Sequence, residues 1–119
     1  MRDDVKIWID EAEENLVTAK LLYEGERFKD VAFYCQQIAE KSLKALQVNK
    51  LNRFDKIHDL IRLAQTVGAG KEIIEDCSAL VGYYADSRYP VTKMVNEEEA
   101  KDLLDKCEGV LEWVKSNLK

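Results

Sequence analysis

His58 is the only histidine in the chain, and histidine is the side chain that enzymes use most often as a general acid or base. Arg53 precedes it in the run Arg53-Phe54-Asp55-Lys56-Ile57-His58, a literal Arg-x4-His motif. Arg53 could stabilise charge on a phosphate while His58 transfers a proton, so these two residues are the candidates for catalysis. We favour a structural role for His58, bound to a loop carbonyl or packed beside Gln37, because a lone histidine at a helix start is more often structural.

A second group of reactive side chains lies at one predicted helix end and consists of Tyr83, Tyr84, Asp86, Arg88 and Tyr89. A guanidinium can bind a phosphate through two hydrogen bonds while a tyrosine ring stacks on a base. Arg88, Tyr89 and Tyr84 are therefore candidate nucleotide-binding residues. Packing of the tyrosines into the end of a helical bundle, with Arg88 paired to Asp86, explains the same composition equally well.

Gln37, Lys41 and Lys44 are spaced at four and three residues and share one face of a helix. Such a face can present two cations to an anion, so these residues are further ligand-binding candidates. The alternative, which we favour, is a solvated stripe in which Glu40 pairs with Lys44 four residues later, as is common on helix surfaces.

No sequence motif indicates a metal or a cofactor, and we expect neither. Cys35, Cys77 and Cys107 lack the CxxC spacing of metal sites, and we predict that they are reduced core residues. The chain contains no GxGxxG or GxxxxGK[ST] loop to hold phosphates, and no Gly-Ser…Asp-x-Asp signature of a nucleotidyltransferase. It therefore cannot transfer nucleotides alone by that route.

Composition indicates one soluble domain over residues 1–119. The net charge of −5 argues against a broad nucleic-acid surface, although it permits a local basic patch. No stretch has the length of a membrane span, and the first residues lack the apolar core of a signal peptide, so we expect a cytoplasmic protein.

Apolar residues at three- and four-residue steps predict an all-α fold, an up-and-down bundle of four long helices and one short one. The predicted helices run from Asp3 to Glu24, about Phe28 to Asn49, about His58 to Val67, Lys71 to about Ser87, and onward from Asn96. Lys50 to Ile57 is predicted to be a loop. The second helix is apolar around so much of its circumference that we expect it to be the centre of the bundle.

The second helix also carries a recognisable pattern. It reads Phe33-Tyr34-Cys35-Gln36-Gln37-Ile38-Ala39-Glu40-Lys41-Ser42-Leu43-Lys44-Ala45-Leu46, and is followed by His58-Asp59-Leu60 and later by Ser87-Arg88-Tyr89-Pro90. This arrangement resembles the HEPN family, and the QQxAEKxLKA pattern is its most specific part. The resemblance extends to Trp8 and Ala12 and to the turn from Gly25 to Phe28.

The resemblance implies a bundle that forms homodimers and occurs in bacteria and archaea beside minimal nucleotidyltransferases. The function it implies is a non-catalytic nucleotide-binding and assembly module for such a partner, with ligand contacts from Arg88, Tyr89, Tyr84, Gln37, Lys41, Lys44 and His58. The alternative is a metal-independent HEPN ribonuclease, including the toxin of a toxin–antitoxin pair.

The position of the Arg-x4-His motif argues against the ribonuclease. The ribonuclease branch of the family carries Arg-x4-6-His late in the domain, at a dimer interface. Arg53 and His58 lie early, in the loop that leaves the second helix, where His58 matches the histidine of the family's His-x-Leu element. Arg88, at the later position, is followed by no histidine.

Overall fold

Five α-helices account for most of the computed structural model, which describes residues 1–87 and 94–118 and, within them, the side chains of all but residues 84–87. The helices are α1 (Asp3–Glu24), α2 (Phe28–Leu51), α3 (Leu60–Thr66), α4 (Lys71–Ser87) and α5 (Glu97–Asn117). The all-α prediction is confirmed, and the described residues contain no strand. None of these helices is long and apolar enough to cross a membrane.

The end of α2 differs from the prediction, because the helix continues two residues beyond Asn49 to Leu51. Asn52 then adopts the left-handed conformation, with φ of 57°, and its N–H donates to the Val48 carbonyl at 3.0 Å. Asparagine tolerates this conformation better than most residues, so Asn52 ends the helix. The connection from Asn52 to Asp59 is called the α2–α3 loop below.

Helix α3 begins two residues later than predicted because Asp59 caps it. The Asp59 side chain accepts a hydrogen bond from the backbone N–H of Arg62 at 3.1 Å, the arrangement of an N-cap. His58 therefore precedes the cap and belongs to the loop.

Helix α2 is the centre of the fold, as its apolar circumference predicts. It contacts each of the other four helices, and its buried residues face in several directions. Cys35, Cys77 and Cys107 are free and buried, which confirms their prediction as reduced core residues. Burial raises the pKa of the Cys77 thiol to about 12, so this side chain is a protonated, unreactive thiol at neutral pH.

The start of α5 is fixed by the predicted capping box. The Asn96 side chain accepts from the Glu99 N–H at 2.8 Å, and the Glu99 carboxylate accepts from the Asn96 N–H at 3.1 Å. We expect Asn96→Ala to lower the free energy of unfolding by about 1 kcal/mol, the usual cost of losing an N-cap. Urea unfolding followed by circular dichroism measures this change. Ser116→Ala in the last turn is the control, and equal losses in the two variants would contradict the capping role.

Candidate functional site

The buried carboxylate of Glu40 is the polar centre of the molecule. Its side chain is 8% exposed and lies on the face of α2 that the α2–α3 loop covers. Lys44 Nζ donates to one carboxylate oxygen at 2.9 Å and Gln36 Nε2 donates to the other at 3.0 Å. His58 Nδ1 lies 3.0 Å from both oxygens. Since an ionised carboxylate can only accept, Nδ1 carries the proton in this contact.

These contacts keep Glu40 ionised despite its burial. Burial alone raises the pKa of this carboxyl, but hydrogen bonds from Lys44, Gln36 and His58, together with the charge of Lys44, outweigh it and lower the pKa below its ordinary value. Glu40 and Lys44 therefore form a buried ion pair whose side chains are 8% and 6% exposed. The pairing agrees with the sequence prediction, whereas its burial does not, since a solvated stripe was expected.

Two aromatic rings close the other side of Lys44. Its ammonium lies 5.9 Å from the Trp8 ring centre and 6.0 Å from the Phe54 ring centre, within cation–π range of both. The rings meet edge to face with centres 4.9 Å apart. Helix α1 and the α2–α3 loop thus enclose Lys44 between them, and its ammonium group is directed toward Glu40.

Gln37 and Lys41, the two other residues predicted on this face, also make contacts within the chain. Gln37 Nε2 donates to Gln36 Oε1 at 2.8 Å. Lys41 Nζ donates to Asn15 Oδ1 of α1 at 2.7 Å and lies 3.5 Å from the Glu11 carboxylate. The face therefore directs one cation to Glu40 and the other to α1, rather than both to a shared open site.

Arg53 and His58, the catalytic candidates, lie on the same loop in different settings. The His58 side chain is 74% exposed, although its Nδ1 reaches the buried Glu40, and its carbonyl accepts from Gln36 Nε2 at 3.4 Å. Arg53 is exposed and its Nε lies 3.8 Å from the Asp55 carboxylate. The hydrogen bond of the His58 ring is therefore made to this carboxylate rather than to the predicted loop carbonyl.

Gln47 fixes the first half of the loop. It is fully buried, and its Nε2 donates to the Asp55 carboxylate at 3.0 Å and to Thr66 Oγ1 at 2.8 Å. Its Oε1 accepts from the Asp55 N–H at 3.0 Å. Gln36, Glu40, Lys44 and Gln47, called the polar stripe below, thus hold the α2–α3 loop against α2 at both ends. Polar residues inside a helix that is otherwise buried are the sequence signal that could have revealed this stripe.

Three of the predicted ligand-binding residues lie outside this geometry. Arg88 and Tyr89 are outside the described residues, as is the side chain of Tyr84. Their nucleotide-binding role stays a prediction.

Comparison with known proteins identifies a family and similar solved structures. The HEPN domain model matches residues 5–117. A crystal structure of a protein from Thermus thermophilus superposes with a TM-score of 0.89 at 23% identity, covering 98% of this chain and all of that one. The crystal structure of an archaeal HEPN homologue superposes with a TM-score of 0.85 at 27% identity, over the full length of both chains. No curated protein matches the sequence.

Proposed function

The chain belongs to the HEPN domain family, and from this premise we propose that it is a non-catalytic module that binds a nucleotide, forms a homodimer and partners a minimal nucleotidyltransferase. The observation that carries the non-catalytic part is the use of His58, the only histidine, as an anchor of the α2–α3 loop. Its ring nitrogen binds Glu40 and its carbonyl binds Gln36, so both of its polar contacts serve the polar stripe. This structural role accounts for the presence of His58 without a catalytic function.

Exposed apolar residues on α1 support the homodimer. Ile7, Val17 and Leu21 are all well exposed, and their spacing puts them on one side of the helix. Apolar side chains that share an exposed face commonly mark a surface that another protein covers. Self-association is the form of contact that the family premise favours.

One observation favours the ribonuclease as a second candidate. A buried carboxylate that holds Nδ1 of an exposed histidine is also the arrangement by which catalytic triads orient their base. Arg53, on the same loop, supplies a cation for a phosphate.

The two candidates predict different results when His58 is replaced. We expect the wild-type protein and His58→Gln to leave single-stranded RNA equally intact in gel assays without added metal, because the histidine serves structure. The ribonuclease candidate requires His58→Gln to lose at least about 100-fold in cleavage rate, as for a missing general acid or base. Wild-type cleavage that disappears in His58→Gln would replace the proposed function with the second candidate.

Binding and assembly are tested on the unmodified protein. Isothermal titration is expected to detect ATP binding, and light scattering is expected to give twice the chain mass of 13.7 kDa. A minimal nucleotidyltransferase encoded beside the gene should co-purify with the chain. Absence of nucleotide binding together with absence of such a partner would remove the proposal.

A further inference from the structure

An open cleft of about 570 Å³ lies between the α2–α3 loop and α3. Its size falls within the range of small-molecule sites. The residues that line it are Arg53, Phe54, Asp55, Lys56, Ile57, Arg62 and Thr66. Three of these carry positive charge and one carries negative charge, so the cleft is locally cationic although the chain has a net charge of −5.

The cations of this cleft are less neutralised than several cations of the long helices. Lys6, Lys101 and Lys106, for example, each pair at 2.6–2.7 Å with a carboxylate one helical turn away. Lys56 and Arg62, by contrast, form no ion pair with any residue in the described part of the chain, and the Arg53 contact to Asp55 is long at 3.8 Å. Donors left without an acidic partner remain available to an anion.

Asp55 provides the single carboxylate of the cleft, and it is already hydrogen-bonded to Gln47 of α2. Asp55 accepts from Gln47 Nε2, while its backbone N–H donates to Gln47 Oε1. Gln47 also donates to Thr66 Oγ1 on the opposite wall. One buried side chain therefore joins both walls and fixes the position of Asp55, and the lining keeps an excess of two positive charges.

A second hollow, of about 370 Å³, meets the first at the loop. It is lined by Asp4, Trp8, Val48, Asn52, Arg53, Phe54 and Lys56, so Arg53, Phe54 and Lys56 border both spaces. Trp8 and Phe54 give this side an aromatic wall, and Asp4 is paired with Arg2 at 2.7 Å. An aromatic wall next to a cationic cleft suits a molecule that has a flat ring at one end and phosphates at the other.

We propose that the α2–α3 loop is the nucleotide site of this chain, where a nucleoside triphosphate places its phosphates against Arg53, Lys56 and Arg62 and its base against Phe54 and Trp8. The inference rests on the nucleotide-binding part of the proposed function and gives it a location. That location is separate in sequence from the predicted Arg88 and Tyr89.

The cationic half of the site is tested by Lys56→Gln/Arg62→Gln. Isothermal titration at low salt with ATP, and separately with tripolyphosphate, is expected to show a loss of affinity on the order of 10- to 100-fold for both ligands, because two charge-assisted contacts disappear. Neither side chain makes an ion pair in the described residues, so the variant should fold normally. Lys71→Gln/Lys115→Gln removes the same charge from α4 and α5 and is expected to bind both ligands as the wild type does.

The aromatic half is tested by Phe54→Leu with the same two ligands. Loss of stacking is expected to lower the affinity for ATP by about 5- to 100-fold and to leave that for tripolyphosphate unchanged. Equal loss for both ligands, or none, would overturn the placement of the base.

The location and the proposed function fail in different ways. If Lys56→Gln/Arg62→Gln binds ATP normally while Arg88→Gln does not, the loop site is wrong and nucleotide binding stands elsewhere. If the wild-type chain binds neither ATP nor tripolyphosphate, both the site and the nucleotide part of the function are wrong.

Discussion

Glu40→Gln is expected to lower the free energy of unfolding by about 3–5 kcal/mol, the cost of removing one partner from a buried ion pair. The substitution keeps the shape of the side chain but leaves the Lys44 ammonium, 6% exposed, with no opposite charge. Its neighbours Trp8 and Phe54 supply only the weaker attraction of their ring faces. Urea unfolding at neutral pH, followed by circular dichroism, measures the loss.

Two further variants make this result specific. Glu112→Gln neutralises an exposed carboxylate of α5 that lies 3.8 Å from Lys115, and it should cost less than about 1 kcal/mol. Glu40→Leu/Lys44→Met replaces both charges with apolar groups and should be more stable than Glu40→Gln, because no unpaired charge is left buried. A loss below about 1 kcal/mol for Glu40→Gln would show that the pair adds little to the fold.

The stabilisation by Glu40 should also depend on pH with a defined sign. The pKa of this carboxyl is lowered in the folded protein from its ordinary value of 4.5, so folding favours the ionised form. Its contribution is therefore complete above about pH 4.5 and is lost as the pH falls through the lower, folded-state pKa. The difference in stability between wild type and Glu40→Gln should shrink in acid. A difference that grows in acid would contradict this sign.

Gln47→Leu is expected to cost about 1–3 kcal/mol, because it removes three part-buried hydrogen bonds that join the loop and α3 to α2. The Asp55 backbone N–H loses its acceptor, and the Asp55 carboxylate and Thr66 hydroxyl lose a donor. Hydrogen exchange should quicken in residues 52–59, since this side chain joins the loop to α3. The matched control is Gln65→Leu, an exposed position on α3, for which a change within about 0.5 kcal/mol is expected. Equal effects at the two positions would exclude Gln47 as the anchor.

The helices could be predicted from the sequence because each depends on local information. Periodic apolar residues define α1 and α2, Gly25 separates them, and the reciprocal contacts of Asn96 and Glu99 start α5. The central position of α2 also follows from its composition. These features require no knowledge of which segments meet in space.

The polar stripe could not be predicted in the same way. Glu40 and Lys44 have the spacing of an ordinary surface pair, and the pair is buried because α1 and the α2–α3 loop cover it. His58 lies 18 positions from Glu40, and neither residue alone identifies the other as its partner. The cationic cleft could not be predicted for a related reason. Arg53 and Arg62 line the same cleft only after the loop and α3 fold back on α2.

The α2–α3 loop and the polar stripe run in opposite directions and are joined at two points. Glu40 and Gln47 are seven residues apart, a helical rise of about 10.5 Å. Their loop partners, His58 and Asp55, are three residues apart, so only Lys56 and Ile57 lie between the two anchored positions of the loop. One residue inserted between Asp55 and His58 would have to bulge outward or release one of the two contacts. The spacing of polar residues within α2 sets the permitted length of a segment outside it.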